Sequence, residues 1–426
     1  MQHIVILGNG ISGITAARHI RKLSGHKITV ISSETDHFYS RTALMYIYMG
    51  HMKYEHTKPY EDWFWGENKI DLINAHVEVV DTAKKSLRFT NGNSILYDTL
   101  IIASGSKPNK FGWPGQDLKG VTGMYSYQDL ENIENHTKRI GRGVIVGGGL
   151  IGVELAEMLH SRRIEVTFLV REKSFWSNVL PKEESELINR HIRENKIDLR
   201  LETELKEIIP DSKGRVKAII TNKNEEIPCE FVGLTAGVSP NIDFLKNSDI
   251  ETKRGILIDE YLRTNIPDVY AIGDCAQHRS PPVGRAPIEQ VWYTGRMHGE
   301  TVAYTICGGK LKYEPGIWFN SAKFFDIEYQ TYGWVRNKLQ ENENQFYWED
   351  QTGKKCLKLV YSKIDDRILG VNIFGIRLKQ ELFDYWIKNK TNIQTVINEL
   401  GKANFDPEFY THFEAEIARK FETQRI

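Results

Sequence analysis

Cysteine is scarce in this sequence. Its 426 residues hold four, Cys229, Cys275, Cys307 and Cys356, and none forms a CxxC or CxxxxC pair. Neither a zinc ribbon nor a dithiol redox pair is visible, and no metal is expected. Few cysteines and no charged-then-apolar leader lead us to expect a reducing, cytoplasmic setting. Long apolar runs are missing too: none approaches the ~20 residues that span a bilayer. Nor does one sign of charge dominate. Lysine plus arginine and aspartate plus glutamate number 56 each, which gives nucleic acid or an acidic partner no bulk attraction. The chain does have the length for two or three domains, and 40 % hydrophobic residues to build their cores.

The most informative stretch runs from His3 to Glu34. His3–Leu7 is a short apolar run suited to a buried strand. Gly8-Asn9-Gly10-Ile11-Ser12-Gly13 follows at once, then a helical stretch from Ile14 to Leu23, then a second apolar run, Ile28 to Ile31, leading to Glu34. Strand, glycine turn, helix, strand and acid is the context that a dinucleotide-binding turn requires. Gly8 permits the tight turn, Gly10 leaves room for a pyrophosphate against the backbone, and Gly13 lets the helix lie close to the strand. The helix N-terminus offers unpaired N–H groups and a partial positive charge to phosphates. Glu34 suits the hydroxyls of an adenosine ribose. Arg41, in the next loop, has the planar fork that binds phosphate oxygens bidentately; the plain alternative is a surface arginine. Trp63-Phe64-Trp65 reads as helix packing.

Ile70 to Leu96 shows short alternating runs broken by Asn91-Gly92, which reads as a meander of hairpins. Tyr97 to Gly105 is another buried strand, ending in the small residues Ala103-Ser104-Gly105. A linker then runs from Lys107-Pro108 to Pro114-Gly115. Gly143 to Glu154 repeats the strand, glycine turn and helix, with Gly147, Gly149 and Gly152 in the turn. Two such turns imply two dinucleotides, one that stays and one that comes and goes, with a hydride passing between them. The strand after the second turn, Val166 to Val170, ends without an acid, and Arg171 follows. An arginine there suits a 2′-phosphate, which tilts the choice toward NADPH over NADH, although Glu172 can bind a ribose or neutralise Arg171.

Thr264 to Asp274 ends a strand in Gly-Asp. Asp274 then sits at the C-terminal edge of a sheet, suited to a flavin polyol hydroxyl or, more plainly, to capping a helix. From about Tyr313 short strands and amphipathic helices mark a third domain. Phe409, Phe413, Ile417 and Phe421 recur every four residues; packing on their own domain is the plainer reading, a membrane surface the other. His412, beside Glu414 and Glu416, reads as structural.

In this order the blocks Gly8–Glu34, Tyr97–Pro108, Gly147–Glu154 and Thr264–Asp274 resemble the flavoprotein pyridine nucleotide–disulfide oxidoreductase superfamily, over about the first 310 residues. Phe38-Tyr39-Ser40-Arg41 resembles the branch that includes rubredoxin and ferredoxin reductases, the nitrite reductase flavin domain and apoptosis-inducing factor. The resemblance implies an α/β fold with two Rossmann-like three-layer dinucleotide-binding domains plus a C-terminal α+β domain. The FAD-binding domain would comprise residues 1–112 and 255–312, the NAD(P)-binding domain 113–254, and the C-terminal domain 313–426. FAD contacts are implied at Gly8, Gly10, Gly13, Glu34, Arg41, Val77 (through its backbone), Ala103 and Asp274. Contacts to NAD(P)H are implied at Gly147, Gly149, Gly152, Arg171 and Gly237. Trp292 is implied at the flavin edge, with ordinary core as its plain alternative.

Departures from the branch matter as much. Phe38 replaces a proline, and Met45-Tyr46 replaces a Ser-Lys pair. Glu154 matches the glutamate that pairs with that lysine in relatives, so here it loses its cation. Either Tyr46 donates a hydrogen bond to it or it titrates unusually; Glu154 and Tyr46 are the side chains expected at the reacting centre. No cysteine lies between Glu34 and Gly50, so no thiol is expected by the flavin there. The implied activity is an FAD-dependent NAD(P)H oxidoreductase that passes hydride from nicotinamide to flavin and electrons to a small iron–sulfur or rubredoxin-type carrier. A quinone reductase at a membrane surface is one alternative. A redox-sensing interaction module, using the aromatic third domain (Trp318, Phe319, Phe324, Phe325, Tyr329, Trp334), is another. A homodimer is left open; nucleic acid and membrane association are not expected.

Overall fold

The computed structural model describes residues 1–405 and 411–424. The chain divides into two compact units. One comprises Met1–Phe111, Thr122–Lys138 and Gly237–Pro315; the other comprises Gly112–Val121, Arg139–Ala236 and Gly316–Ile426.

The first unit is built on a five-stranded parallel sheet in the order Val269–Ala271, Thr99–Ile102, His3–Leu7, Lys27–Ser32, Ile70–Asn74. Parallel strands covered on both faces read as continuous apolar runs, and Ile4, Val5, Ile6, Leu100, Ile101 and Ile102 are all fully buried. His3–Leu7 lies centrally: the chain continues to Lys27–Ser32 and Ile70–Asn74 on one side of it and later crosses to Thr99–Ile102 and Val269–Ala271 on the other. That reversal opens a crevice at the carboxyl ends of the strands. The helix Ile11–Leu23 packs on the helix Trp292–Ile306. Small residues set this approach: a Cβ on Gly299 would fall 2.6 Å from the Ser12 carbonyl oxygen.

The predicted meander is only partly present. Val77–Asp81, Ser86–Phe89 and Ser94–Leu96 form an antiparallel sheet with a turn at Asn91-Gly92, where Gly92 has φ +86°. Ile70–Asn74 instead pairs in parallel with Lys27–Ser32. Trp65 is buried as expected of packing, while Trp63 is exposed.

The second unit repeats the plan. Asp198–Leu201, Glu165–Val170, Arg142–Val146 and Phe231–Leu234 run parallel in that order, beside an antiparallel sheet of Leu205–Pro210, Val216–Thr221 and Glu226–Pro228. The same unit holds a five-stranded antiparallel sheet ordered Phe319–Phe324, Ile327–Gly333, Ile368–Phe374, Cys356–Ser362, Glu343–Glu349. The helices Gln380–Lys388, Ile393–Asn398 and Glu414–Gln424 close a core with it around Trp348, Phe383, Trp386 and Val396. Of the four-residue repeat, Ile417 and Phe421 are buried, and Phe413 packs on Trp348 at 5.4 Å between ring centroids. That face is thus spent inside the fold; Phe409 lies outside the described residues. No helix among the described residues is long and apolar enough to cross a membrane. His412 is exposed, 3.5 Å from Glu414.

Candidate functional site

The two glycine turns have the same construction. Gly8 and Gly147 both adopt φ +119°, a backbone conformation that L side chains rarely adopt. A Cβ would fall 2.1 Å from the Ala103 carbonyl oxygen at Gly8 and 2.6 Å from that of Thr235 at Gly147. Their N–H groups donate to Ile31 and Leu169, at 2.7 and 3.0 Å. Gly13 and Gly152 press against the carbonyls of Gly8 and Gly147, with room for no side chain (2.0 and 2.4 Å to a Cβ). Gly10 and Gly149 differ in kind. Each begins a helix, has an unstrained backbone, and would place a Cβ within 4 Å of nothing in the protein.

Neither helix carries a side-chain cap or an acid in its first turn, so both N-termini keep their donors and partial positive charge for an external anion. Open space above a glycine, beside uncapped N–H groups, fits a dinucleotide pyrophosphate in each turn. Gly10→Ala is therefore expected to fold with unchanged thermal stability yet hold its dinucleotide about tenfold or more weakly. Paired melting curves and ligand titrations check this; a lower melting temperature with intact affinity would contradict it.

Asp274 follows Gly273, whose φ of +71° and closeness to Ser12 (2.2 Å from a Cβ to Oγ) admit only glycine. Asp274 Oδ2 accepts from the Tyr125 hydroxyl and from Ser106 Oγ, each at 3.2 Å. Burial raises the Asp274 carboxyl above its ordinary range, against the pull of these two bonds and of Arg41. Oδ1 accepts no hydrogen bond among the described residues, which leaves it for a polyol hydroxyl.

Glu34 and Arg41, expected at two points of a cofactor, are joined to each other. Arg41 donates from Nη2 to Glu34 Oε2 at 2.6 Å and from Nη1 to Oε1 at 2.8 Å. Oε1 also accepts from the Tyr39 hydroxyl (2.5 Å) and the Tyr127 N–H (2.8 Å). Arg41 further donates to the Tyr125 carbonyl and lies over the Tyr125 ring. Burial works to raise the Glu34 carboxyl, and the guanidinium outweighs it and holds it below the usual range. A ribose is left the remaining lone pair of Oε2.

The other first-unit residues are more loosely placed. Val77 is buried at the start of its strand, opposite Phe89. Ala103 donates its N–H to the Leu7 carbonyl at 2.8 Å. Trp292 opens the helix Trp292–Ile306, half-buried, with its ring edge-on to Tyr293. Tyr46 lies in the helix Leu44–Tyr48 with its ring stacked near His51. Gly237 has φ +84°, beside the Asn109 side chain.

In the second unit Glu154 sits one turn into the helix Leu150–Ser161, beyond the second glycine turn. Its carboxylate makes no hydrogen bond or ion pair among the described residues. Burial pushes it up to about 7, Glu157 adds to this, and Lys323 opposes it. Lys323 is itself bound to Glu157 Oε1 at 2.7 Å. Arg171, 72 % exposed, pairs with Glu172 at 3.0 Å.

Sequence reasoning missed Tyr125, Ser106, Tyr127 and Lys323. One signal existed: Ser126-x-x-Asp129 is a capping box, and it does start the helix Tyr127–His136. It locates that helix but not its return to Glu34.

Residues 2–299 match the model of the pyridine nucleotide-disulphide oxidoreductase family. The chain belongs to this family. It is 27 % identical over 404 residues to the assimilatory nitrate reductase electron transfer subunit of Bacillus subtilis, covering 91 % of this chain and 50 % of that one. It is 27 % identical over 410 residues to the NADH-rubredoxin oxidoreductase of Clostridium acetobutylicum, covering 93 % and 99 %. The chain spans about half the length of the first curated relatives it matches. Among solved structures, a NAD-dependent persulfide reductase from A. fulgidus aligns with a TM-score of 0.84 at 22 % identity, over 99 % of this chain and 83 % of that one. A ferredoxin reductase from Rhodopseudomonas palustris aligns at 0.79 and 21 %, over 88 % and 91 %. At these identities the structures bear on the fold alone, and they share the two Rossmann-like α/β halves.

Proposed function

We propose that the chain is a flavoprotein reductase that moves electrons from NAD(P)H through FAD to a small iron–sulfur or rubredoxin-type carrier. The duplicated glycine turn, with two uncapped helix N-termini, is the observation that carries this reading. Gly8, Gly10, Gly13, Ala103 and Asp274 would hold FAD, with Glu34 reached through Oε2 and Arg41 fixing that carboxylate. Gly147, Gly149 and Gly152 would hold the nicotinamide nucleotide, with Gly237, Arg171 and Glu172 further along it. When bound, the nicotinamide supplies a hydride, and the flavin takes two electrons and can release them singly. The protein's part is to bind both and to set the charge beside them.

Relatives named for rubredoxin and ferredoxin favour a protein carrier as acceptor. The burial of Ile417 and Phe421 removes the feature that favoured a membrane quinone. The test is turnover: NAD(P)H-driven reduction of a rubredoxin and a two-iron ferredoxin, against a quinone in liposomes. Rapid reduction of either carrier supports the reading; turnover with quinone alone would overturn it.

The choice of nicotinamide nucleotide rests on one ion pair. Arg171 is offered to a 2′-phosphate, and Glu172 competes for it. Glu172→Gln is expected to raise the NADPH-over-NADH ratio of kcat/KM by about tenfold, the worth of one freed charge-assisted hydrogen bond. An unchanged ratio would remove Arg171 from the site.

A further inference from the structure

Two buried histidines lie behind Asp274 and have no part in the scheme above. His298, on the helix Trp292–Ile306, is 2 % exposed, and His278, on the strand Ala276–His278, is 7 % exposed. Their Nε2 atoms are 3.3 Å apart. Tyr313 covers both rings, stacked on His278 at 5.2 Å and edge-on to His298 at 4.4 Å. The other nitrogen of His298, Nδ1, is 3.1 Å from the Gly273 N–H.

These contacts fix the protons. A backbone N–H only donates, so His298 Nδ1 accepts and carries no hydrogen. Neutral His298 therefore bears its proton on Nε2 and donates to His278 Nε2, and His278 keeps its own on Nδ1. A proton added to the pair has no harmless place. On His298 Nδ1 it faces the Gly273 N–H directly. On His278 Nε2 it faces the His298 Nε2–H, and relieving that clash moves the His298 proton to Nδ1, again against Gly273. Either way the bond that holds the Gly273 turn is lost, and this turn aims Asp274.

We propose that His298, backed by His278, is a positioning residue for Asp274, and that the protein retains its flavin only while this histidine pair is uncharged. The proposal rests on reading Asp274 as a flavin contact. The surroundings oppose a charge on the pair. Burial is the largest influence on both rings and lowers both below the ordinary histidine range. Arg285, from the loop before the helix, lowers both as well; Glu289, its ion-pair partner at 2.6 Å, and Asp259 favour a charge on His278. The helix Ile11–Leu23 brings Ser12, Thr15 and Ala16 to Gly295 and Gly299, none of them charged. Because the folded histidines titrate below 6.5, their neutral state contributes stability above that value, and the contribution is lost as pH falls through it.

The test uses the full chain with its flavin and follows release by flavin fluorescence as pH falls. His298→Asn puts an amide oxygen where Nδ1 stood, accepts from Gly273 and cannot be protonated. His298→Leu removes the acceptor. Wild type is expected to release flavin increasingly as pH falls below the ordinary histidine range. In H298N the onset moves to lower pH, because the group that accepts from the Gly273 N–H can no longer take a proton. H298L is expected to hold flavin about tenfold more weakly even near neutral pH. An unshifted onset in H298N, or wild-type retention in H298L, overturns the proposal while leaving the reductase reading intact. Histidine ring-nitrogen NMR of wild type reads the tautomer with or without flavin; a protonated Nδ1 on His298 overturns the proposal by itself. A wild-type chain that holds no flavin at any pH overturns the function reading and this proposal with it.

Discussion

Gly8→Ala is expected to yield protein without flavin, whereas Gly147→Ala is expected to keep its flavin and no longer be reduced by NAD(P)H. Both glycines sit at φ +119°, and in both the new Cβ meets backbone, the least yielding neighbour. At Gly8 it lies 2.1 Å from a carbonyl oxygen; at Gly147 it lies 2.6 Å from one and 2.7 Å from an amide nitrogen. Such a substitution is expected to cost more than about 4 kcal/mol, beyond what side-chain shifts recover. The damage is expected to stay local because each turn belongs to a separate core, around Ile4–Ile6 for one and around Val144 and Val146 for the other. Absorption of bound flavin, then anaerobic addition of NAD(P)H, separates the two variants. Loss of flavin from both, or from Gly147→Ala alone, would contradict the assignment of one cofactor to each turn.

Flavin reduction by NAD(P)H is expected to rise through about pH 7 in the wild type and to be level in Glu154→Gln. Burial lifts the Glu154 carboxyl to about 7, so both protonation states are present near neutrality. An ionised carboxylate one turn beyond the second glycine turn would stabilise the positive charge that hydride donation develops, which would make the ionised form the faster one. The expected rise is about tenfold, or ~1.4 kcal/mol, and E154Q stays at the low-pH level. Lys323 favours the ionised form, so Lys323→Met moves the midpoint upward. Stability carries the opposite sign. A folded value above the unfolded 4.5 means that the folded protein keeps a proton the unfolded chain releases. Stability from this group is therefore full below 4.5 and falls until about 7. E154Q lacks that slope in melting temperature against pH. Parallel profiles for variant and wild type would remove Glu154 from the site.

Much of the fold was legible because it is written locally. In Gly8-x-Gly10-x-x-Gly13 and Gly147-x-Gly149-x-x-Gly152 each glycine answers a separate demand: a left-handed backbone, open space for a ligand, a helix pressed on a turn. Sequence spacing carries all three. Ile70–Asn74 was misread because its direction depends on docking beside Lys27–Ser32, and nothing in Asp71-Leu72-Ile73 distinguishes a hairpin arm from a parallel edge strand.

The site was less legible where partners are distant in the chain. Glu34 and Arg41 were each matched to a cofactor atom, yet Tyr125 and Tyr127 close around them from just before and at the start of a helix some ninety residues on. The same holds for Lys323 with Glu157, and for His278 with His298, which meet only because a strand end and a helix face converge. What could be foreseen was a consequence of absence. With Tyr46 in place of a lysine, Glu154 was expected either to accept from Tyr46 or to titrate unusually, and burial does displace it.

Anaerobic titration of the purified protein with NADH and, separately, NADPH, following the visible absorption of bound flavin, tests the pairing of two cofactors most directly. Rapid bleaching by at least one nucleotide, at one equivalent per flavin, is the predicted result. Protein that binds no flavin, or whose flavin neither nucleotide reduces, would contradict it.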